Sequence, residues 1–201
     1  MPHKRAVSAR RRTGGRSARV HAAVLDATVE LLLARGLDDV SISAVAARAG
    51  VHETSIYRRW GTKANLVLAA LLDRLDAQVP EPDTGSLRGD LVALLHAIAN
   101  FVRSPLGQAL LRIALRQDQP EYAASREWFW TERFAVAWSA VLGRAEARGE
   151  VRRGVDRRLS CETALGALSL RVLLTHEPID DDVVEAVVDL VVMGIGTAHP
   201  A

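Results

Sequence analysis

Apolar residues recur at three- and four-residue steps along almost the whole of this 201-residue chain, and no stretch alternates with period two for long enough to suggest a sheet. Spacing of that kind puts apolar side chains on one face of a helix, whereas a strand needs alternation. The fold class expected is therefore all-α, with about nine helices. Hydrophobic residues make up 49% of the chain and charged residues 25%, which is enough to fill a core and excludes wholesale disorder.

Punctuation divides the pattern. Residues 1–17 have no hydrophobic period but carry five arginines, and read as a disordered basic arm. A helix follows from about Ala18, with Val20, Val24, Ala27, Leu31 and Leu32 on one face and Gly36 at its end. Ser41 and Ser43 are cap candidates for a short helix over 44–49, stopped by Gly50. Further helices are expected over 53–60 and 61–75. Pro80, Pro82 and Gly85 then break the pattern and mark a domain boundary, separating an 18–78 unit from a 79–201 unit. Beyond it the periods predict helices over 87–103, 106–117, 121–148, 156–175 and 181–195.

Charge is unevenly distributed. Residues 1–63 carry twelve Lys/Arg against five Asp/Glu, while residues 64–201 carry fourteen against nineteen. A basic front on an acidic remainder points to a polyanionic partner for the front alone. Cys161 is the single cysteine, which excludes an internal disulfide framework and fits a reducing compartment. No uninterrupted apolar run reaches the roughly 18 residues that a membrane span needs, and no apolar segment stands directly behind the N-terminal charges as a secretory signal requires. The location expected is the cytoplasm.

Residues 41–63, SISAVAARAGVHETSIYRRWGTK, hold the sharpest signal. Two short helices joined by a glycine turn make a helix-turn-helix. Ala46 is small where the helices would cross, Gly50 suits the turn, and Val45, Val51 and Ile56 supply apolar contacts to the first helix. His52, Glu53, Thr54, Ser55, Arg58 and Arg59 are left facing outward. A short polar helix with arginines on a rigid base suits the reading of base edges in a major groove. Lys63, the only lysine past the arm, stands at a helix start where a phosphate contact is plausible, although a solvated lysine would look the same in sequence.

The spacing of Val45-Ala46, Gly50-Val51, Tyr57, Trp60 and Lys63 resembles the helix-turn-helix of the TetR family of transcriptional regulators. The resemblance covers residues 20–68. It implies that Tyr57 and Lys63 anchor backbone phosphates, that Ser41 caps a helix and touches phosphate, and that Thr54, Ser55 and Arg58 read bases. Trp60 stands where the family usually packs a Phe. His52 departs from the usual small cap residue, so cap, phosphate and base contact all stay open for it. For the basic arm, a solubilising tail and contact with DNA are both open. The resemblance further implies a ligand-responsive regulator, a repressor in the commoner case, binding double-stranded operator DNA.

Six of the nine aromatic residues fall within 122–138: Tyr122, Trp128, Phe129, Trp130, Phe134 and Trp138. Trp130, Phe134 and Trp138 share one helical face, and with the resemblance they imply a pocket for a small apolar or amphipathic effector. His96 and Asn100, four residues apart on an apolar helix, could supply its polar contacts; a hydrogen-bonded core histidine is the alternative for His96. The last helix is apolar on more than one side, which points to a partner beyond its own core. Leu165, Leu168, Val172, Val184, Val187, Val188 and Val191 are the expected interface, and the resemblance implies a four-helix homodimer contact on a palindromic operator. The isolated acidic run Asp180–Asp182 suits a helix N-terminus, where the dipole favours negative charge.

An enzyme is not expected. The chain lacks a Glu-x-x-His pair, a His-Glu-x-x-His motif and a glycine-rich phosphate loop, so no catalytic residue, metal site or cofactor is assigned. Cys161 reads as a buried structural thiol. A DNA binder of the nucleoid type, with no regulatory role, would not need the aromatic-rich second half.

Overall fold

The computed structural model describes residues 15–79, 81–115 and 135–197. Among these residues nine α-helices form and no strand does: α1 (Gly15–Arg35), α2 (Ile42–Ala49), α3 (Glu53–Trp60), α4 (Lys63–Gln78), α5 (Leu87–Arg103), α6 (Pro105–Leu115), α7 (Ala135–Ala147), α8 (Arg157–Leu170) and α9 (Asp181–Ile195). A π-helical turn, Arg171–Thr175, continues α8. The all-α expectation holds.

Most helix starts are written in the sequence as side-chain caps. Ser41, Thr62, Ser86, Asp156 and Asp180 each accept a hydrogen bond from the backbone N–H three residues on. Each satisfies a donor that the first helical turn would otherwise leave unpaired. Between α5 and α6 the chain turns sharply. Pro105 occupies the first position of α6, where its missing N–H costs nothing. Gly107 lies so close to the Phe101 carbonyl that a Cβ there would overlap it.

The expected boundaries shift in places. Among the described residues α1 already runs from Gly15, three residues inside the expected arm. The rest of the arm lies outside the described residues, as do the N-terminal part of the 121–148 helix and Tyr122, Trp128, Phe129, Trp130 and Phe134. α8 stops short of 175 because its backbone widens into the π turn and then bends at His176, which adopts a left-handed φ of 55°.

α1 packs on α2 and α4, and α3 closes against α4, forming a small three-helix head on the first half of α4. α5 lies at the centre of the second half, against α6, α7, α8 and α9. Asp90, at the start of α5, is fully buried. Its carboxylate accepts the Thr84 N–H at 2.5 Å and the Thr84 hydroxyl at 2.8 Å, and pairs with Arg148 at 3.2 Å. Burial alone would push this carboxyl up. The Thr84 hydrogen bonds and the Arg148 charge outweigh burial and hold it below the usual range.

A depressed folded value means that the charged form stabilises the fold. That stability is present above the carboxylate range and lost as pH falls through the folded value. Glu150 behaves alike, held down first by its hydrogen bond with Arg148 against the opposing effect of burial. Urea unfolding from about pH 6 down to about pH 2 is expected to show falling stability, and Asp90→Asn to be less stable at neutral pH with a shallower acid dependence. An unchanged pH profile in Asp90→Asn would remove Asp90 from this account.

Candidate nucleic-acid interface

The helix-turn-helix is built by α2 and α3. Ser41 caps α2 through the Ala44 N–H at 3.2 Å, and its hydroxyl also lies 3.0 Å from that of Ser43. Gly50 closes α2 in the left-handed region, φ 66° and ψ 37°, which a residue with a Cβ enters at a cost of about 1 kcal/mol. That turn lets the Val51 N–H reach the Ala46 carbonyl at 3.0 Å, a Schellman-like closure. Val45 and Ala46 are buried at the crossing, and Val51 is half-buried against the same core.

α3 is anchored by Ile56, its one buried residue. His52, Glu53, Thr54, Tyr57, Arg58 and Arg59 are exposed and Ser55 is half-buried. His52 occupies the N-cap position of α3 but makes no side-chain cap bond. Lys63 opens α4. Its ammonium donates to the Asp38 carbonyl at 3.1 Å, holding the charge beside the start of α2.

Trp60 is half-buried, and its ring stacks on His21 of α1 with centroids 5.3 Å apart and planes 6° from parallel. The Arg59 guanidinium lies 5.5 Å above the same indole. Burial first, then the Arg59 charge, lowers the His21 imidazole below its usual value against the opposing pull of Asp73. The Asn65 amide donates to the Trp60 carbonyl at 2.9 Å and fixes the end of α3 to α4. The His21 contact was not legible in sequence, since 39 positions separate the partners and nothing in the periodicity links them.

In the second half the structure separates residues that the sequence reading had grouped. Trp138 is buried on α7 and donates its indole N–H to the Ser160 hydroxyl at 2.9 Å. It lines a cavity of about 30 Å³ with Leu75 and Val79 of the α4 end, Leu94 and Ile98 of α5, Ala137, and Cys161 of α8. Cys161 is buried, its thiol pushed up to about 12 mainly by desolvation. His96 and Asn100 are not among the lining residues. His96 faces α9, with Nδ1 3.5 Å from an Asp181 carboxylate oxygen, and exposed Asn100 accepts from Arg103.

The residues expected at the dimer interface lie mostly inside the single chain. Leu165, Leu168, Val184, Val187, Val188 and Val191 are buried within the chain's own core, and Val172 is half-buried against it. The valine face of α9 packs on α5 and α8. The exposed large apolar residues of this region are Leu159, Leu170, Leu174, Leu190 and Met193. Below Leu159 and Leu190 runs a groove of about 420 Å³, bounded also by Arg152, Arg153, Thr163, Gly194 and Ile195.

Comparison with known proteins places this geometry. Residues 24–70 match the model described as bacterial regulatory proteins, tetR family, and residues 81–191 match the tetracyclin repressor-like C-terminal domain. The chain belongs to the TetR family of transcriptional regulators. It is 41% identical over 162 residues to the HTH-type transcriptional regulator AqdR of Rhodococcus erythropolis, covering 80% of this chain and 77% of that protein. It is 36% identical over 177 residues to the DNA-binding transcriptional repressor TetR of Mycobacteroides abscessus, covering 86% and 91%. The crystal structure of the TetR family transcription regulator SCO0332 superposes with a TM-score of 0.77 at 30% identity, covering 88% of this chain and 98% of that one. As a TetR-family protein, the chain is a non-enzymatic DNA-binding regulator. Among its described residues, no helix is long and apolar enough to cross a membrane.

Proposed function

We propose that this regulator represses transcription in the cytoplasm as a homodimer on a palindromic operator, and that a small apolar or amphipathic effector controls its grip on DNA. The 18–78 unit binds DNA and the 79–201 unit holds the effector and the partner. Thr54, Ser55 and Arg58 read base edges, with His52 and Glu53 at the leading edge of the same helix. Tyr57, Lys63 and Ser41 position the head on backbone phosphates, which contribute affinity without sequence preference. The 36% identity to a named repressor supports repression.

The observation that carries the regulatory part is the double use of α4. Its buried Leu66, Val67 and Leu71 belong to the core beneath the DNA-binding head, while Leu75 of the same helix and Val79 at its C-cap wall the cavity beside Trp138. An effector that enlarges that cavity pushes on the helix that carries the reader.

The dimer face proposed is the outer stripe of α8 and α9 rather than their valine face. Leu190 and Met193 are 65% and 72% exposed, and small Gly166 and Gly194 lie exposed on the same two helices. Leu190→Asp is expected to sediment as a single chain with an unaltered helical spectrum and to lose high-affinity operator binding, because each copy then grips one half-site. Leu190→Asp that stays dimeric would move the interface elsewhere.

A further inference from the structure

The segment joining the two halves is held by more polar contacts than a spacer needs. Residues 81–86 lead from the α4 end into α5; the far end of α7 holds them directly at Pro82, and its following loop reaches Thr84 through Asp90 of α5 and caps Leu87 at the start of α5. Arg144 donates to the Pro82 carbonyl at 2.5 Å and stands 3.7 Å from the Asp83 carboxylate. Thr84 gives both its N–H and its hydroxyl to Asp90, whose other oxygen meets Arg148. Glu150 accepts from Arg148 at 2.9 Å and from the Leu87 N–H at 2.5 Å. Asp90 is fully buried and its carboxylate is satisfied on both oxygens, so the centre of this network is shielded from solvent, whereas its Asp83 and Glu150 ends are open to it.

The clasp lies close to the cavity wall. Val79 packs against the core and lines the cavity, and Pro82 is three residues further on, a reach of at most about 10 Å. We propose that Asp90, Arg148 and Thr84 are positioning residues that make the α4 end a fixed pivot, setting the angle of the DNA-binding head on the effector half. A helix pinned at one end cannot slide along its axis. Displacement of Leu75 then tilts α4 and swings α1–α3 with it, instead of being absorbed by slack in the linker. That consequence rests on the effector reading given above; the pivot itself does not.

The test uses the full chain with neither DNA nor effector present, so failure of the effector reading leaves it untouched. Nitroxide labels go on Ala47→Cys of α2 and Asp182→Cys of α9, both exposed positions. Cys161 is buried with its thiol pushed up to about 12, and stays unlabelled. Labelled chains are diluted with excess unlabelled chains so that only distances within one chain are read by electron–electron resonance. The parent is expected to give one narrow distance. Thr84→Val, which keeps the backbone bond and loses the hydroxyl, and Asp90→Asn are each expected to broaden it about twofold, as a head freed to pivot requires. Thr84→Ser restores the narrow distance. Circular dichroism identifies a variant that fails to fold, and the milder Thr84→Val decides the matter if Asp90→Asn does so. Folded Thr84→Val with the parent's distribution, even at reduced thermal stability, would overturn the pivot and leave the clasp a stability element.

Discussion

Ile56→Ala is expected to abolish DNA recognition while leaving the effector half intact. Ile56 is fully buried and is the one residue of α3 that is, so it is the main apolar anchor of the eight-residue helix, with half-buried Trp60 beside it. Truncating a buried isoleucine costs about 2–5 kcal/mol, and a helix of this length has no stability of its own to draw on. The loss should therefore fall locally. Hydrogen exchange across 53–60 is expected to lose its protection while α5 and α9 keep theirs, and fluorescence anisotropy with duplex DNA to fall to the level of non-specific binding. Protection of 53–60 equal to that of the parent would mean that Tyr57, Trp60 or the α4 contacts moor α3 instead.

Trp138→Ala carries the largest expected stability cost. The indole is buried at 1% exposure and fills space between α4, α5, α7 and α8. Removing a buried Trp costs about 3–5 kcal/mol, of which the lost hydrogen bond to Ser160 accounts for about 1. Ser160 keeps its own donation to the Arg157 carbonyl at 2.9 Å, so the hydroxyl is not wholly orphaned. Trp138→Phe is accordingly expected to cost much less than Trp138→Ala in denaturant unfolding. Equal costs would show that the hydrogen bond, and not the packing, holds this wall.

The parts that were legible in sequence are those governed by local rules. The cap at Ser41, the acidic helix start at Asp180–Asp182, the glycine turn at Gly50 and the apolar set Val45, Ala46 and Ile56 depend on neighbours within a few residues, and each is found in place. Which face of a two-sided helix turns inward depends instead on what packs there. α9 offers valines on one side and Leu190 with Met193 on another, and both look equally apolar in a list of residues. The β-branched valines form the closely packed inner face, and the longer side chains are left outside. The same ambiguity applies to α5, where His96 meets Asp181 of α9 and Asn100 is exposed. Contacts across long sequence separations, such as Trp60 on His21 and Arg148 on Asp90, left no periodic trace at all.

The central claim is that cavity and reader helix are coupled through α4. It is tested most directly by paired titrations with an operator duplex selected by the protein itself and an apolar compound found by quenching of tryptophan emission. The compound is titrated into the free protein and into the protein–operator complex. Coupling of the ordinary size, about 1–3 kcal/mol, makes its affinity roughly 5–150-fold weaker in the complex, and operator affinity must fall by the same factor when the compound is saturating. Equal affinity for the free and the DNA-bound protein would contradict the account, even with a real cavity and a real operator.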